Sequence, residues 1–228
     1  MQEKKYAVVS GGTKGIGRAI CEKLLSQGFT VFTSARTVDE TFNHENLNQF
    51  KADLSLKTEV IAFANEIKRH TDFVDILVNN VGVFMPGKIT QEDDLAFETQ
   101  INTNLASTYH LTRALINEVK KSKKPYIFNI CSTASITPYI NGGSYCISKY
   151  AQLGLTKVLR EELKEFRIKV SAILPGATYT NSWSSSDLPI ERFSKPESIA
   201  SLLFAAYQID DSTVMEEILV RPMEGDIS

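Results

Sequence analysis

Tyr145 and Lys149 stand four residues apart in a segment of helical period, so both side chains leave one face of a helix about one turn apart. A phenol near its reference pKa of about 10 is protonated at neutral pH and can hand its proton to an oxygen on which negative charge develops. An ammonium about 4 Å away, at an effective dielectric near 20, is worth roughly 4 kcal/mol, which would lower that phenol by up to about 3 pKa units. The pair is therefore a candidate acid and base.

A second cluster of chemistry is Ser10-Gly11-Gly12-Thr13-Lys14-Gly15-Ile16-Gly17, a G-x-x-x-G-x-G pattern between a strand-like run at 6–10 and a helix-like run at 16–27. Glycines here permit a tight turn, close approach of backbone to a pyrophosphate, and helix-to-strand contact, while the helix N-terminus offers free N–H groups to phosphates. Gly11, Thr13, Lys14, Gly15, Ile16 and Gly17 are the candidate phosphate cradle. In a dinucleotide fold the end of the second strand meets the adenosine ribose, and an acid there favours NAD. This chain has Thr33-Ser34-Ala35-Arg36 at that place, so Arg36, with Lys14, is expected to receive the 2′-phosphate of NADPH in preference to NADH.

The elements that must position these groups follow from the alternation of pattern. Apolar, β-rich runs at 6–10, 31–35, 74–79, 126–130 and 170–174 alternate with helix-period segments at 16–27, 59–69, 95–119 and 145–164. Repeated βαβ units predict a single α/β domain over 1–228, with a doubly wound parallel sheet and helices on both faces. Gly28 sits where a left-handed residue would end the first helix. Ser194-Lys195-Pro196-Glu197 has the form of a capping box before an apolar run at 199–207, and 217–222 reads as a last strand and its exit.

The order and spacing of the glycine loop, Asp53-Leu54, Asn79-Asn80-Val81-Gly82, Asn104, Ser132, Tyr145-x-x-x-Lys149 and Pro175-Gly176 resemble the short-chain dehydrogenase/reductase family over about residues 6–180. Ser10 stands where the family usually has threonine, and Val81 where it has alanine. The resemblance implies that Tyr145 is the acid and base, that Ser132 holds the substrate oxygen, and that Asn104 supports a proton relay through Lys149. Lys149 would also bind the nicotinamide ribose. Asp53 and Leu54 would meet the adenine, Asn80 and Gly82 the adenosine and ribose, and Pro175, Gly176, Thr178 and Thr180 the carboxamide and pyrophosphate. The family also places a mobile substrate lid over 180–194. Trp183, with Phe84 and Met85, would give the pocket an apolar wall; the alternative for Trp183 is a cap on the core.

The implied activity is NADP(H)-dependent reduction of a ketone, aldehyde or diketone. One rival is reduction of 3-oxoacyl groups on an acyl carrier protein, which the basic run Lys120-Lys121-Ser122-Lys123-Lys124 and Arg167 would receive. The C-terminus lacks the glycine-rich ending of those reductases and leans toward sepiapterin-reductase-like or general carbonyl reductases. A non-catalytic NADP(H) redox sensor is the rival from another class, although such sensors usually lose the tyrosine or lysine kept here. The family also implies a homodimer or homotetramer built on the helices at 95–119 and 145–164.

A net charge of -2 in 228 residues leaves no basic field to draw nucleic acid or anionic lipid. Cys21, Cys131 and Cys146 form no CxxC pair and His44, His70 and His110 no ligand spacing, so neither a metal nor a disulfide is expected. With no leader-like or membrane-length apolar run, the expected location is the cytoplasm.

Overall fold

In a computed structural model, residues 4–180, 183 and 186–227 are described. Seven parallel strands form one sheet in the order β3-β2-β1-β4-β5-β6-β7: β1 Tyr6–Ser10, β2 Thr30–Ala35, β3 Leu47–Lys51, β4 Ile76–Asn79, β5 Tyr126–Ile130, β6 Lys169–Pro175 and β7 Glu217–Val220. Strand order reverses between β1 and β4, the place in such sheets where a crevice opens at the carboxyl ends.

The helices are α1 Gly15–Ser26, α2 Lys57–His70, α3 Ala96–Gln100, α4 Ser107–Lys120, α5 Gly143–Leu163 and α6 Pro196–Gln208. Because side chains alternate across a strand, β1 sends Ala7 and Val9 to one face and Val8 to the other. The first face is sealed by Ile20 and Leu24 of α1 with Ile199 and Leu203 of α6. The second is sealed by Val60 and Ile67 of α2 with Leu111 and Leu115 of α4. Helices therefore cover both faces, as the alternation of runs predicts.

Four local features refine that expectation. β3, whose sequence Leu-Asn-Gln-Phe-Lys carries no apolar run, is an edge strand paired only with β2, so it needs no continuous apolar character. The single helix expected over 95–119 is divided by a π-helical stretch, Ile101–Ala106, that contains Asn104. Such widened turns concentrate at functional sites. Gly28, at φ +78°, is left-handed just beyond α1, as expected. The capping box at Ser194 does not form: Lys195 is the N-cap, and no side chain caps the helix. Ser194 instead pairs with Thr178, accepting from Tyr179 N–H at 2.9 Å and donating to Ala177 O at 2.9 Å, which holds it outside the helix.

Candidate active site

The glycine loop is locked from beneath before any ligand binds. Thr33 Oγ1 accepts the Gly12 N–H at 2.8 Å and donates to Val9 O at 2.7 Å, while Ser10 Oγ accepts the N–H groups of Asn80 at 2.9 Å and Val81 at 3.1 Å. Serine thus keeps the hydroxyl that fastens β1 to the end of β4. Asn80 Nδ2 donates to the carbonyls of Ser10 at 2.9 Å and Gly11 at 3.1 Å, so this amide organises the loop. At Gly17 a Cβ would overlap Gly11 O, and glycine is required for that close approach.

Above the loop lies a cleft of about 590 Å³. Of the expected nucleotide-binding set, Gly11, Thr13, Lys14, Gly15, Ile16, Gly17, Arg36, Asp53, Leu54, Asn80, Gly82 and Thr180 line it. Tyr145, Lys149, Pro175, Gly176 and Thr178 do not. Thr178 is buried with its hydroxyl donating to Gly176 O at 3.1 Å, and a Cβ on Gly176 would overlap Asp226 Oδ1, so the bare Cα there serves the C-terminal segment. Asp53 Oδ1 accepts the Ser55 N–H at 3.0 Å and hydroxyl at 2.7 Å.

Arg36 and Lys14 are exposed at this cleft, and among the described residues neither side chain has a hydrogen-bond or ion-pair partner. Arg18 contrasts with them, held at 2.8 Å by both Glu22 and Asp39. Sequence reasoning did not single out Ser34, Thr99 and Thr103, which also line the cleft. The Ser34 hydroxyl is buried without a partner among the described residues. Thr99 and Thr103 carried a usable signal, hydroxyls one helical turn apart. A cleft that opens on a glycine loop and a helix N-terminus, with two cations unpaired among the described residues and an orphaned hydroxyl, suits a phosphorylated dinucleotide.

The residues expected to transfer the proton gather near cleft-lining Gly82. Ser132 follows β5 and caps a 3-10 turn at Thr133–Ser135: its Oγ accepts the Ala134 N–H at 3.1 Å, and Ser135 Oγ accepts the Ser132 N–H at 3.2 Å. That reciprocal cap holds in place the hydroxyl that acts to lower the Tyr145 phenol. Lys149, 4% exposed, donates from Nζ to Ile130 O and to Gln152 Oε1, each at 2.9 Å.

Asn104 holds the segment after β4 by accepting the Val83 N–H at 2.7 Å and donating to Val83 O at 3.0 Å. It also donates to Ser148 Oγ at 2.9 Å, so it reaches Ser148 and not Lys149 directly. A Cβ on Gly82 would stand 3.4 Å from Asn104 Oδ1 and 3.6 Å from Lys149 Nζ; glycine keeps the space between them open. Ser148, Gln152 and Thr108 complete the support, with Gln152 Nε2 donating to Thr108 Oγ1 at 3.0 Å. Their signal in sequence was polar side chains on the buried faces of two helices.

The expected lowering of the tyrosine is not what the site delivers. Burial pushes the Tyr145 phenol above its usual value, the Ser132 hydrogen bond works against that, and neighbouring Cys146 and Cys131 add to the rise. The ammonium that was to lower it is turned toward Ile130 O and Gln152, 5.9 Å from the Tyr145 ring centre. Burial in turn brings Lys149 down to about 8. Cys131 is pushed up to about 11 by burial, in keeping with a packing thiol.

Phe84 meets the Tyr145 ring edge-on at 4.8 Å, and the Met85 N–H donates to Gln100 Oε1 at 3.0 Å. Trp183 packs on buried Phe193 with ring centres 5.1 Å apart. The lid expected over 180–194 falls in part on residues 181, 182, 184 and 185, outside the described residues. Among the described residues there is no metal-ligand cluster, and no helix is long and apolar enough to cross a membrane.

A parallel α/β sheet with a glycine loop at its switch point and a Ser-Tyr-Lys cluster beside it defines a Rossmann-like nucleotide-dependent architecture. Residues 5–189 match the family model described as short chain dehydrogenase, and the chain belongs to that family of oxidoreductases. It is 30% identical over 240 residues to sepiapterin reductase of Chlorobaculum tepidum, with 98% of each chain covered. It is 32% identical over 242 residues to a 3α-hydroxysteroid dehydrogenase of Mediterraneibacter gnavus, with 96% of each covered. A metagenomic short-chain oxidoreductase solved in complex with NADP superposes with a TM-score of 0.82 at 30% identity, covering 96% of this chain and 97% of that one.

Proposed function

We propose that this chain is an NADPH-dependent carbonyl reductase acting on a small ketone, aldehyde or diketone. The observation that carries the reading is the grouping of Tyr145, whose phenol Ser132 acts to lower, with buried Lys149, whose Nζ lies 5.9 Å from the Tyr145 ring centre and 3.6 Å from where a Cβ on cleft-lining Gly82 would stand. Gly11 to Gly17 would hold the pyrophosphate, and Arg36 and Lys14 the 2′-phosphate. NADPH would supply the hydride. Tyr145 gives its proton to the oxygen as the carbonyl becomes an alkoxide, and Ser132 donates a hydrogen bond to the same oxygen, which strengthens as charge develops there. A relative of similar length and 30% identity that was solved with NADP supports the choice of cofactor.

The unpaired state of Arg36 sets a direct test. A charge-assisted hydrogen bond contributes about 1.5–3 kcal/mol, so Arg36→Ser should raise the KM for NADPH roughly 10- to 100-fold and leave that for NADH nearly unchanged. Equal use of the two cofactors by the unaltered enzyme would refute the assignment. The carrier-protein reading gains no support from the basic run, because Lys120 lies over the Phe166 ring at 3.3 Å and Lys124 over Tyr207 at 5.0 Å. Turnover of NADPH with a panel of carbonyl compounds decides between an enzyme and a sensor. Exposed Tyr109 of α4 and Ile147 and Tyr150 of α5 support a homodimer or homotetramer through these helices. Sedimentation at micromolar concentration should show one, and a monomer would contradict it.

A further inference from the structure

From the junction in front of α5 we infer that Glu92 is a positioning residue for Tyr145, an inference that rests on Tyr145 being the proton donor. The 21-residue helix α5 begins at Gly143 with Gly142 as its N-cap, and no side chain of its own caps it or places an acid in its first turn. The first N–H groups of a helix need acceptors, and a carboxylate is favoured at that positive end. Glu92, on the long connection between β4 and α3, supplies both. Its Oε1 accepts the Ser144 N–H at 2.7 Å, and its Oε2 accepts the Ser144 hydroxyl. The residue after Ser144 is Tyr145.

The junction is shaped for this side chain. At Gly143 a Cβ would overlap Glu92 Oε1, and at Gly87 a Cβ would come within 2.6 Å of Glu92 Cγ. Gly143, at φ +28°, adopts a backbone that favours glycine in any case, and Gly87 N–H donates to Asn141 O at 2.9 Å, so the two strands of chain are laced together around the carboxylate. Farther back along the same connection, Asn104 grips Val83 and Gln100 grips Met85. The arm from Gly82 to Glu92 is thus fastened at one end beside Lys149 and at the other to the first turn of α5. Phe84 lies between, against the Tyr145 ring. Glu92 sets where the tyrosine hydroxyl stands relative to Ser132 and the arm, without touching substrate.

A displacement of about 1 Å at a reacting group costs on the order of a hundredfold in rate. Glu92→Ala should therefore lower kcat about tenfold or more. NADPH affinity, followed by fluorescence titration, should stay within about twofold, because the glycine-loop cleft lies elsewhere. Glu92→Gln keeps an oxygen for the Ser144 N–H and an amide for its hydroxyl, and should restore kcat to within about threefold of wild type. An unchanged kcat in Glu92→Ala, a parallel loss of NADPH affinity, or equal loss in both variants overturns the role. Should Glu92→Ala not fold, Ser144→Ala removes one of the two bonds and is expected to lower kcat about threefold with NADPH affinity intact; no change there overturns the role as well. Tyr145→Phe is run in parallel: retained turnover in it refutes the reading of the site, whereas its loss with Glu92→Ala unaffected refutes the positioning role alone.

Discussion

Tyr145→Phe should lose about three orders of magnitude in kcat while binding NADPH as wild type does. The substitution removes one oxygen and little else. The ring keeps its edge contact with Phe84, and Ser132 keeps its own cap through Ala134 and Ser135. What is lost is the hydroxyl that, on the proposed mechanism, neutralises the alkoxide as it forms. Burial raises this phenol from a value near 10 at which it already carries its proton at neutral pH. Stopped-flow measurement of NADPH oxidation in a single turnover, beside an equilibrium titration of NADPH, separates chemistry from binding. Ser132→Ala should cost less, on the order of a hundredfold, because it removes a donor to the developing charge and leaves the proton source in place. Turnover unchanged in Tyr145→Phe would remove the residue from the mechanism.

Much of this site was legible because its residues depend on local chain geometry. A glycine loop after a strand, a Tyr-x-x-x-Lys pair on a helix, and a cation where an acid would select NADH are each stated within a few residues of one another. What could not be read depends on where distant segments meet. Nothing in the sequence around Asn104 says that its amide reaches Val83 and Ser148, or that its helix opens into a π turn there. Ser194 and Glu197 have the spacing of a capping box, yet a bridge to Thr178 draws Ser194 away. Gly176 has the place of a cofactor contact in the family pattern, and the sequence does not show that its missing side chain also makes room for Asp226, 50 residues later. β3 was hidden for the opposite reason: an edge strand with one neighbour can be built from polar residues. Burial is what the sequence shows least. At an intermediate dielectric an ammonium beside a phenol lowers it, whereas here both groups are desolvated and Lys149 is held by other acceptors.

That desolvation has a measurable consequence in stability. In the unfolded chain a lysine titrates near 10.4, whereas burial brings Lys149 to about 8 in the native state. Between these values the unfolded chain holds a proton that the native protein has released, so stability rises with pH across the window from about 8 to about 10.4. Below about 8 the penalty for burying the cation is fully present. It is on the order of 3 kcal/mol. Lys149→Met removes this term and also leaves Ile130 O and Gln152 Oε1 without their donor, which costs about 1–3 kcal/mol. The two effects oppose each other at pH 7, and the variant should unfold within a few kcal/mol of wild type. Its slope should differ. Denaturant unfolding of both proteins at pH 7 and pH 10 should show wild type gaining on the order of 2–3 kcal/mol relative to Lys149→Met, since groups that do not interact with Lys149 cancel in the comparison. Parallel stability curves would mean that burial does not lower this lysine, which would then titrate in the folded protein as it does in the unfolded chain. The same variant should be nearly inactive. On the proposed mechanism the buried cation serves the chemistry beside it, and the loss of turnover with stability preserved would separate that role from packing.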